Sequence, residues 1–365
     1  MARKKNYLTL KQLDAVSDGA DYTWLYSTRT DGKSFCVKSR SILDAYESID
    51  ERGVCHKQIA YMRRYDMDNK DKNITAYFAD MPVEELTDGE YTHIVAYRRD
   101  IYFGHLEKGK VVKDVLIGSG FSVSALEHYK SLMYPYIYNI IYEEITTMSG
   151  QYLYAEPTMF LHCVSSIIRD RKAKVWLVGN IISRMCPYFD EWGIEAEKVK
   201  EGEKIQITFK EDDIETVLVF YHVIPSGDIS GMFNIGRAKD NITKGKYYTE
   251  LQQHLKRKPS TYNTIHTMVL EYDNFKYLMK LIYYTDYEYG ADYAWYIEPK
   301  TSVIQPSTRI VTNALNRGGK FVTDSFRPLS PNEDIAFRYL LDKSKVFFND
   351  NLTGTEFYSI INNFK

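Results

Sequence analysis

The chain has too few cysteines, too short apolar runs and too balanced a charge for several whole classes of protein. Only four cysteines occur in 365 residues (Cys36, Cys55, Cys163 and Cys186), and no two form a C-x-x-C pair. That spacing excludes a disulfide scaffold and argues against a cysteine zinc site. No apolar stretch approaches the roughly 20 residues of a membrane span. The basic start M-A-R-K-K-N-Y is not followed by the apolar segment of a secretory leader. Charge of one sign is missing too: 47 basic against 49 acidic residues leave a net −2, so a polyanion would have to be held by local patches. These absences predict a soluble protein of a reducing cytoplasm with no membrane partner.

Tyrosine, by contrast, is abundant, at 32 residues against 4 tryptophans. It fits β-rich, half-buried surface, or aromatic faces for nucleic acid or subunit contacts. Hydrophobic content of 44% and charged content of 26% are ordinary for a globular chain. The length suits one large domain and one small one. We expect residues 1–230 as the first domain, 231–259 as a basic linker and 260–365 as the second. The linker carries seven Lys/Arg and two acids between Arg237 and Lys258.

Periodicity predicts a helix around Leu8–Val16, a buried strand at Tyr22–Tyr26, a polar turn at Ser27–Gly32 and a helix over Phe35–Ile49. A strand at Gln58–Arg63 and a polar insertion at Asp66–Asn73 follow. Residues 92–117 alternate like a hairpin around Arg98 and Arg99. Tyr138–Ile145 and Lys174–Asn180 are apolar enough for buried strands, separated by a helix near Pro157–Ile168. Ile205–Phe209 and Val217–Val223 form a second hairpin. Strands spaced by helices in this way predict a mostly parallel α/β sheet. In residues 260–365, strands are expected near Thr267–Tyr272, Leu278–Tyr284 and Tyr293–Ile297, with a last helix from about Thr355.

The strand–turn–helix at Tyr22–Ile49 carries S-T-R-T-D-G-K-S. A phosphate-binding loop, G-x-x-x-x-G-K-[ST], aims backbone N–H groups at phosphate, reaches the β/γ oxygens with Lys and holds Mg²⁺ with Ser or Thr. Gly32, Lys33 and Ser34 are in place, whereas Ser27 stands where the first glycine would be. Thr28, Arg29, Thr30 and Asp31 complete the candidate nucleotide loop. A bare G-K-S arises often by chance; the strand before it and the helix after it make the loop a candidate. The apolar strand N-I-I-Y runs into Glu143 and Glu144. If the strand continues, the two carboxylates face opposite ways, one toward Mg²⁺ and one toward the γ-phosphate side. The strand ending at Gly179–Asn180 offers an amide that could sense a γ-phosphate. Upstream, I-I-R-D-R-K-A-K is either a solvated helix end or the source of an arginine finger for a neighbouring subunit.

Taken in order, S-T-R-T-D-G-K-S-F, Y-M-R-R-Y, F-S-V-S-A-L-E-H-Y-K-S, N-I-I-Y-E-E-I, I-I-R-D-R and V-W-L-V-G-N-I-I-S-R-M-C-P-Y-F resemble the DNA-packaging (encapsidation) ATPases of the phi-29-like podophages. These are related to the ATPase of large terminase subunits. The resemblance spans residues 20–190 and fades after 200. It implies a P-loop ATPase domain of the ASCE, RecA-like/terminase type, with ATP and Mg²⁺ as cofactors. It further implies a pentameric ring at the capsid portal or connector, with double-stranded DNA and a packaging RNA as partners, in the host cytoplasm and transiently docked on the procapsid. Lys33 and Ser34 would bind phosphates and Mg²⁺, Glu143 would be the Mg²⁺-side acid and Glu144 the catalytic base. Arg29 would contact the γ-phosphate, and Arg169, with Arg171 as fallback, would be the finger acting in trans. Lys130 would couple nucleotide state to DNA or a neighbour. Arg63 and Arg64 would face nucleotide or DNA. The serine at 27 and glutamate in place of the usual aspartate at 143 depart from the pattern, in loop geometry and metal affinity respectively.

Terminase-type enzymes add an RNase H-like nuclease, which needs several carboxylates converging on two metal ions. Glu271, Asp273, Asp286, Glu288, Asp292 and Glu298 are the available acids, and none is a clean first-strand aspartate. The resemblance implies a domain of that fold without the nuclease chemistry. Lys256, Arg257 and Lys258, together with Arg309, Arg317 and Lys320, are either DNA, RNA or portal contacts or solvated surface. A terminase with an active nuclease and a non-catalytic nucleic-acid-binding protein with a decayed loop are the competing readings.

Overall fold

The runs W-L-Y, I-A-Y-M, I-I-Y and V-W-L-V have no polar alternation, which suits strands covered on both faces. In the computed structural model they form the middle of a nine-stranded sheet. The structure describes residues 7–130, 132–147, 152–182, 186–226, 259–272, 275–286, 290–300, 308–312, 322–323, 339–340 and 345–363.

In chain order the first elements are α1 (Leu10–Ser17), β1 (Tyr22–Ser27), α2 (Lys33–Glu47), β2 (Gln58–Arg63), α3 (Asp71–Phe78), α4 (Val83–Leu86), β3 (His93–Tyr97), β4 (Asp100–Glu107) and β5 (Lys110–Ser122). They continue with β6 (Ile137–Glu143), α5 (Glu156–Ile168), β7 (Lys174–Asn180), α6 (Pro187–Trp192), β8 (Lys204–Glu211) and β9 (Ile214–His222). The sheet order is β3-β4-β5-β2-β6-β7-β1-β9-β8. The six inner strands from β5 to β9 are parallel, while β3, β4 and β8 pair antiparallel at the margins. This is the mixed α/β architecture with a large, mostly parallel sheet that the strand–helix spacing predicts.

The chain divides into two compact units. One comprises Met1–Thr146, Leu153–Ile181 and Gly193–Gly245, the other Thr147–Tyr152, Ile182–Trp192 and Lys246–Lys365. The nine-stranded sheet belongs to the first. Two sequence expectations change here. Residues 92–117 supply three strands rather than a hairpin, because β5 is 13 residues long and passes from antiparallel pairing with β4 to parallel pairing with β2. The polar Asp66–Asn73 stretch holds a 3-10 turn at Asp66–Asp68 and the start of α3.

Strand alternation decides which side chains share a face. Leu25, Tyr61, Ile141, Trp176 and Val178 pack in one core with Cys36, Val37, Ile42 and Ala45 of α2. Continuing each strand by two residues along that parity leads to Ser27, Arg63, Glu143 and Asn180. On the opposite face, Tyr142 stacks on Phe160 of α5 with ring centroids 5.1 Å apart. The four strand ends therefore bring polar groups to the face of α2 at the carboxyl edge of the sheet. Beneath them a buried polar bridge joins the same elements: Trp176 donates to Asn139 at 2.9 Å, and Asn139 donates to Asp44 of α2 at 3.1 Å.

The second unit contains β10 (Tyr262–Tyr272), β11 (Phe275–Asp286), β12 (Gly290–Pro299), β13 (Thr308–Thr312), β14 (Val322–Thr323), β15 (Val346–Phe348) and α7 (Asn351–Asn363). Its sheet runs β14-β13-β10-β11-β12-β15. One face, with Met268, Leu270, Met279, Trp295 and Ile297, packs on Phe357, Ile360 and Ile361 of α7. The strands are longer than expected, and the last helix starts four residues before Thr355.

Asn139 links two buried partners, so Asn139→Ala orphans the Trp176 indole N–H and leaves Asp44 with its 3.8 Å ion pair to Arg40. It should destabilise the chain by roughly 1–3 kcal/mol for the orphaned group. Denaturant unfolding with tryptophan fluorescence measures this, and an unchanged midpoint would show that the bridge is dispensable.

Candidate functional site

The carboxyl edge of the sheet opens into a cavity of about 360 Å³ bounded by Arg29–Phe35, Glu143, Glu144, Val178 and Asn180. β1 delivers the loop and α2 starts beneath it. Gly32 caps α2 with φ of +84°, a conformation that favours glycine, and a Cβ there would also be tight, 3.3 Å from Tyr7 Cβ. Thr30 also has a positive φ, 69°. Ser27, by contrast, is the last residue of β1 and has no left-handed backbone, so the serine in place of the first glycine leaves the local fold unstrained. The loop is held from inside. Asp31 is buried, accepts from the Thr28 hydroxyl at 2.5 Å and accepts from the Ser226 N–H at 2.9 Å.

Lys33 lies in the cavity floor. Its ammonium donates to the Ser27 hydroxyl at 2.9 Å, the Thr28 carbonyl at 2.5 Å and the Asn180 side-chain oxygen at 3.2 Å. Burial pushes it down to about 8; the Asp31 and Glu143 carboxylates oppose that drop and Arg29 adds to it. Asn180 is fixed through its backbone: its N–H donates to the Thr146 hydroxyl at 2.9 Å, which donates back to the Asn180 carbonyl at 2.8 Å. The preceding Gly179 leaves no room for a side chain, since a Cβ would come within 2.9 Å of Trp24 Nε1.

The two glutamates part company, by a route the alternation argument did not contain. Glu143 ends β6, is buried, and takes hydrogen bonds from the Ser34 hydroxyl and from the Tyr77 phenol at 2.8 Å. Burial raises its carboxyl above the usual range, against the pull of Tyr77, Ser34, Arg63 and Lys33. The strand then stops. Glu144 adopts φ of +57°, and its side chain, 62% exposed, meets Arg63 at 2.7 Å.

Arg63 and Arg64 have opposite fates. Arg63 pairs with Glu144, which lines the cavity, and donates to the Tyr61 phenol at 3.3 Å. Arg64 is buried and donates to Glu156 at 2.8 Å, to the Glu144 carbonyl at 3.2 Å and to the Ile145 carbonyl at 2.9 Å. Glu156, fully buried, also accepts from the Tyr142 phenol and the Leu153 N–H, each at 2.8 Å. The Arg64 guanidinium thus holds the backbone turn of Glu144 and is not presented to a nucleic acid.

The remaining predicted residues lie elsewhere. Arg169 follows α5 with φ of +53°, is exposed, and donates to the Leu132 carbonyl at 3.3 Å. Arg171 is tied to the carbonyls of Tyr134, Pro135, Ile137 and Ile167. Both sit by the start of β6, at the edge of the sheet opposite the cavity. Lys130 is exposed and ion-paired with Glu127 at 2.6 Å. Lys256, Arg257 and Lys258, like Arg317, Lys320, Asp273 and Glu288, fall outside the described residues. The backbone of Arg309 lies in β13, and that of Asp286 ends β11. Tyr77, Thr146 and Glu156 belong to the site's framework but carry no motif that singles them out in the sequence.

The oxygen pair of Ser34 and Glu143 is a hard donor set suited to Mg²⁺. Among the described residues no cluster of three or more His, Cys, Asp or Glu could hold a metal by itself, so such an ion would draw its other ligands from phosphate and water.

Two outcomes follow. Arg64→Ala leaves Glu156 buried without its cation and should cost about 3–5 kcal/mol in unfolding free energy. Arg64→Lys should recover only part, because one ammonium cannot reproduce the fork to a carboxylate and two carbonyls; full recovery would refute the clamp. The second outcome concerns pH. Folded Lys33 loses its proton near 8, whereas an unfolded lysine keeps it to its ordinary 10.5. Between these values the unfolded chain binds the extra proton, so stability gains with rising pH. The stability of wild type relative to Lys33→Met should therefore rise from pH 8 to 10.5 in stepped denaturant titrations; a flat difference contradicts the assignment.

No protein-family model matches the chain, and no curated protein matches it. Solved structures do. The chain overlays a subunit of the bacteriophage Phi-29 viral genome packaging motor assembly at TM-score 0.52 and 16% identity, covering 99% of this chain and 100% of that one. Matches at TM-scores of 0.45 and 0.44 are the Phi-28 gp11 DNA packaging motor (15% identity, 99% of each chain) and the N-terminal domain of the phi29 DNA packaging ATPase (19% identity, 61% of this chain and 99% of that one). In its described residues the chain is similar in fold to that chain of the Phi-29 packaging motor assembly.

Proposed function

We propose that the chain is an ATP-driven motor subunit that moves double-stranded viral DNA into a preformed capsid. One observation carries the reading: Lys33, Ser34, Glu143, Glu144 and Asn180 converge on one cavity at the carboxyl edge of a mostly parallel sheet. β7, which ends in Asn180, lies between the loop strand β1 and the acid strand β6.

The residues divide the work by position. The N–H groups of the loop and of the first turn of α2 face an anion at the helix terminus. Lys33 exchanges its present acceptors for phosphate oxygens, whose negative charge favours its protonated form. Ser34 and Glu143 would hold Mg²⁺, which neutralises phosphate charge when bound. Tyr77 orients Glu143. Glu144, released from Arg63, is the group exposed enough to polarise a water. Asn180 reports on the terminal phosphate through its contact with Lys33, and Arg29 is exposed on the cavity wall.

Arg169 acts in trans. α5 starts beside Tyr142 and Glu144 and runs 13 residues away from them, roughly 20 Å at 1.5 Å per residue. Arg169 therefore cannot reach its own cavity but can serve a neighbour's in a ring, which we take to be a pentamer at the portal. Arg171, tied to four carbonyls, is the poorer candidate. Lys130 is kept as a coupling residue because its exposed ion pair with Glu127 is cheap to break. Of the six candidate nuclease acids, the three whose side chains are described are each paired with a lysine: Glu271 with Lys276, Asp292 with Lys345 and Glu298 with Lys280. That neutralisation favours a nuclease-like domain of RNase H type used for docking DNA, a packaging RNA or the portal over one that cuts. The protein would work in the host cytoplasm, docked on the procapsid while packaging.

In the assembled motor, Lys33→Ala and Glu144→Gln should each reduce ATP hydrolysis by about 10²-fold or more, and Arg169→Ala by about 10³-fold or more. Mixed rings of Arg169→Ala and Glu144→Gln subunits should regain activity at interfaces that pair an intact Glu144 with an intact Arg169. Unchanged hydrolysis in the Lys33 and Glu144 variants sinks the ATPase reading. Failure of every mixture to regain activity sinks the trans role.

A further inference from the structure

The phosphate loop accounts for a triphosphate but leaves unexplained what receives the base. One residue of the cavity answers to that chemistry. Phe35 is the first side chain past Ser34, on the first turn of α2, and it lines the same cavity as Lys33 and Glu143. Phe35 is 43% exposed, while Cys36, Val37, Ile42 and Ala45 of the same helix are at most 3% exposed. The helix therefore buries its apolar residues against the sheet and turns this one outward. The rest of the lining is polar or charged apart from Gly32 and the buried Val178.

Direction follows from the loop. The terminal phosphates belong at Lys33 and Ser34, opposite Glu143. The chain of phosphates then leaves past the first turn of α2, since Asp31 and the segment carrying Tyr7 and Leu8 close the side of Gly32. Leu8 N–H donates to the Asp31 carbonyl at 3.1 Å, and the Leu8 carbonyl accepts from the Cys36 thiol at 2.8 Å. On that path sugar and base would emerge beside Phe35.

We propose that Phe35 is the nucleobase platform of this site: its exposed ring takes the base by stacking and sets a preference for purine over pyrimidine triphosphates. This deepens the reading of the loop as a nucleotide site and rests on it. Stacking on an aromatic face is tolerant of base identity and grows with the size of the π-system. Adenine and guanine should then be distinguished poorly, and cytosine should bind less well than either.

The test uses the full chain and three probes: ATP, CTP and inorganic tripolyphosphate, with affinities from titration calorimetry. Phe35→Ala should weaken ATP by roughly tenfold, the scale of one lost aromatic–base stack, and leave tripolyphosphate unchanged, so that the ATP-to-CTP preference collapses. Phe35→Tyr should retain the preference. In Phe35→Trp, ATP should perturb the added indole's fluorescence and tripolyphosphate should not. If Phe35→Ala weakens ATP and tripolyphosphate equally, the ring only supports the loop and the proposal fails; if it weakens neither, the base binds elsewhere and it fails again. Lys33→Ala keeps the two ideas apart: intact tripolyphosphate binding in that variant would indict the loop reading itself, whatever Phe35 does.

Discussion

Two adjacent carboxylates have to serve two places, and the site's geometry follows from how that is achieved. Glu143 must stay on the face of α2, beside Ser34, while Glu144 must not follow it into the core. Simple alternation would send Glu144 to the face covered by α5, where Tyr142 and Phe160 are stacked. The chain instead ends the strand and turns Glu144 left-handed. For a residue with a side chain that conformation costs roughly 1–3 kcal/mol and persists only if its surroundings enforce it. Arg64 enforces it by holding the carbonyls of Glu144 and Ile145, and Glu156 holds Arg64. The separation of the acids therefore rests on a buried ion pair that touches neither carboxylate.

Neighbouring arginines make the complementary point about strength. Arg64 and Glu156 are almost wholly shielded from water, with side-chain exposures of 7% and 0%, so losing either strands a charge. Arg63 meets a Glu144 carboxylate that is 62% exposed, and such a pair is worth about 0–1 kcal/mol. One contact fixes the backbone permanently, and the other can be exchanged for a competing partner at little cost. The role proposed for Glu144 asks for that combination, a rigid attachment and a replaceable partner.

Much of this was legible in the sequence because it is local. Apolar runs mark β1, β6 and β7, and a G-K-S between a strand and a helix marks the loop. The order of those pieces along the chain suffices to predict a mostly parallel sheet. What could not be read depends on contacts far apart in sequence. Tyr77 reaches Glu143 across 66 residues, and Arg64 reaches Glu156 across 92. No spacing rule connects them, and Y-F in α3 resembles any other core pair. Ser27 looked like a defect because the motif is written as letters. In the fold it is a strand residue whose backbone never uses glycine's freedom, and its hydroxyl is an acceptor for Lys33. Glu144 was misplaced for the opposite reason: alternation was extended one residue beyond the strand's end.

Basic residues are the least reliable guide of all, and physics explains why. A guanidinium with five donors is as useful for tying down carbonyls as for meeting phosphate. Arg64 and Arg171 do the former, and Arg99 makes a two-point contact with Asp66 at 2.6 and 2.7 Å. Lys38 is buried against the Tyr77 carbonyl and Asp80. With a net charge of −2 and so many cations engaged internally, attraction for a polyanion cannot be inferred from counts of Lys and Arg. It has to come from cations held at a surface by the fold. Among the predicted cations whose side chains are described, Arg29, Lys130 and Arg169 remain exposed, Arg29 at the carboxyl edge of the sheet and Arg169 at the other. Two copies in the proposed ring would bring one such edge to the other.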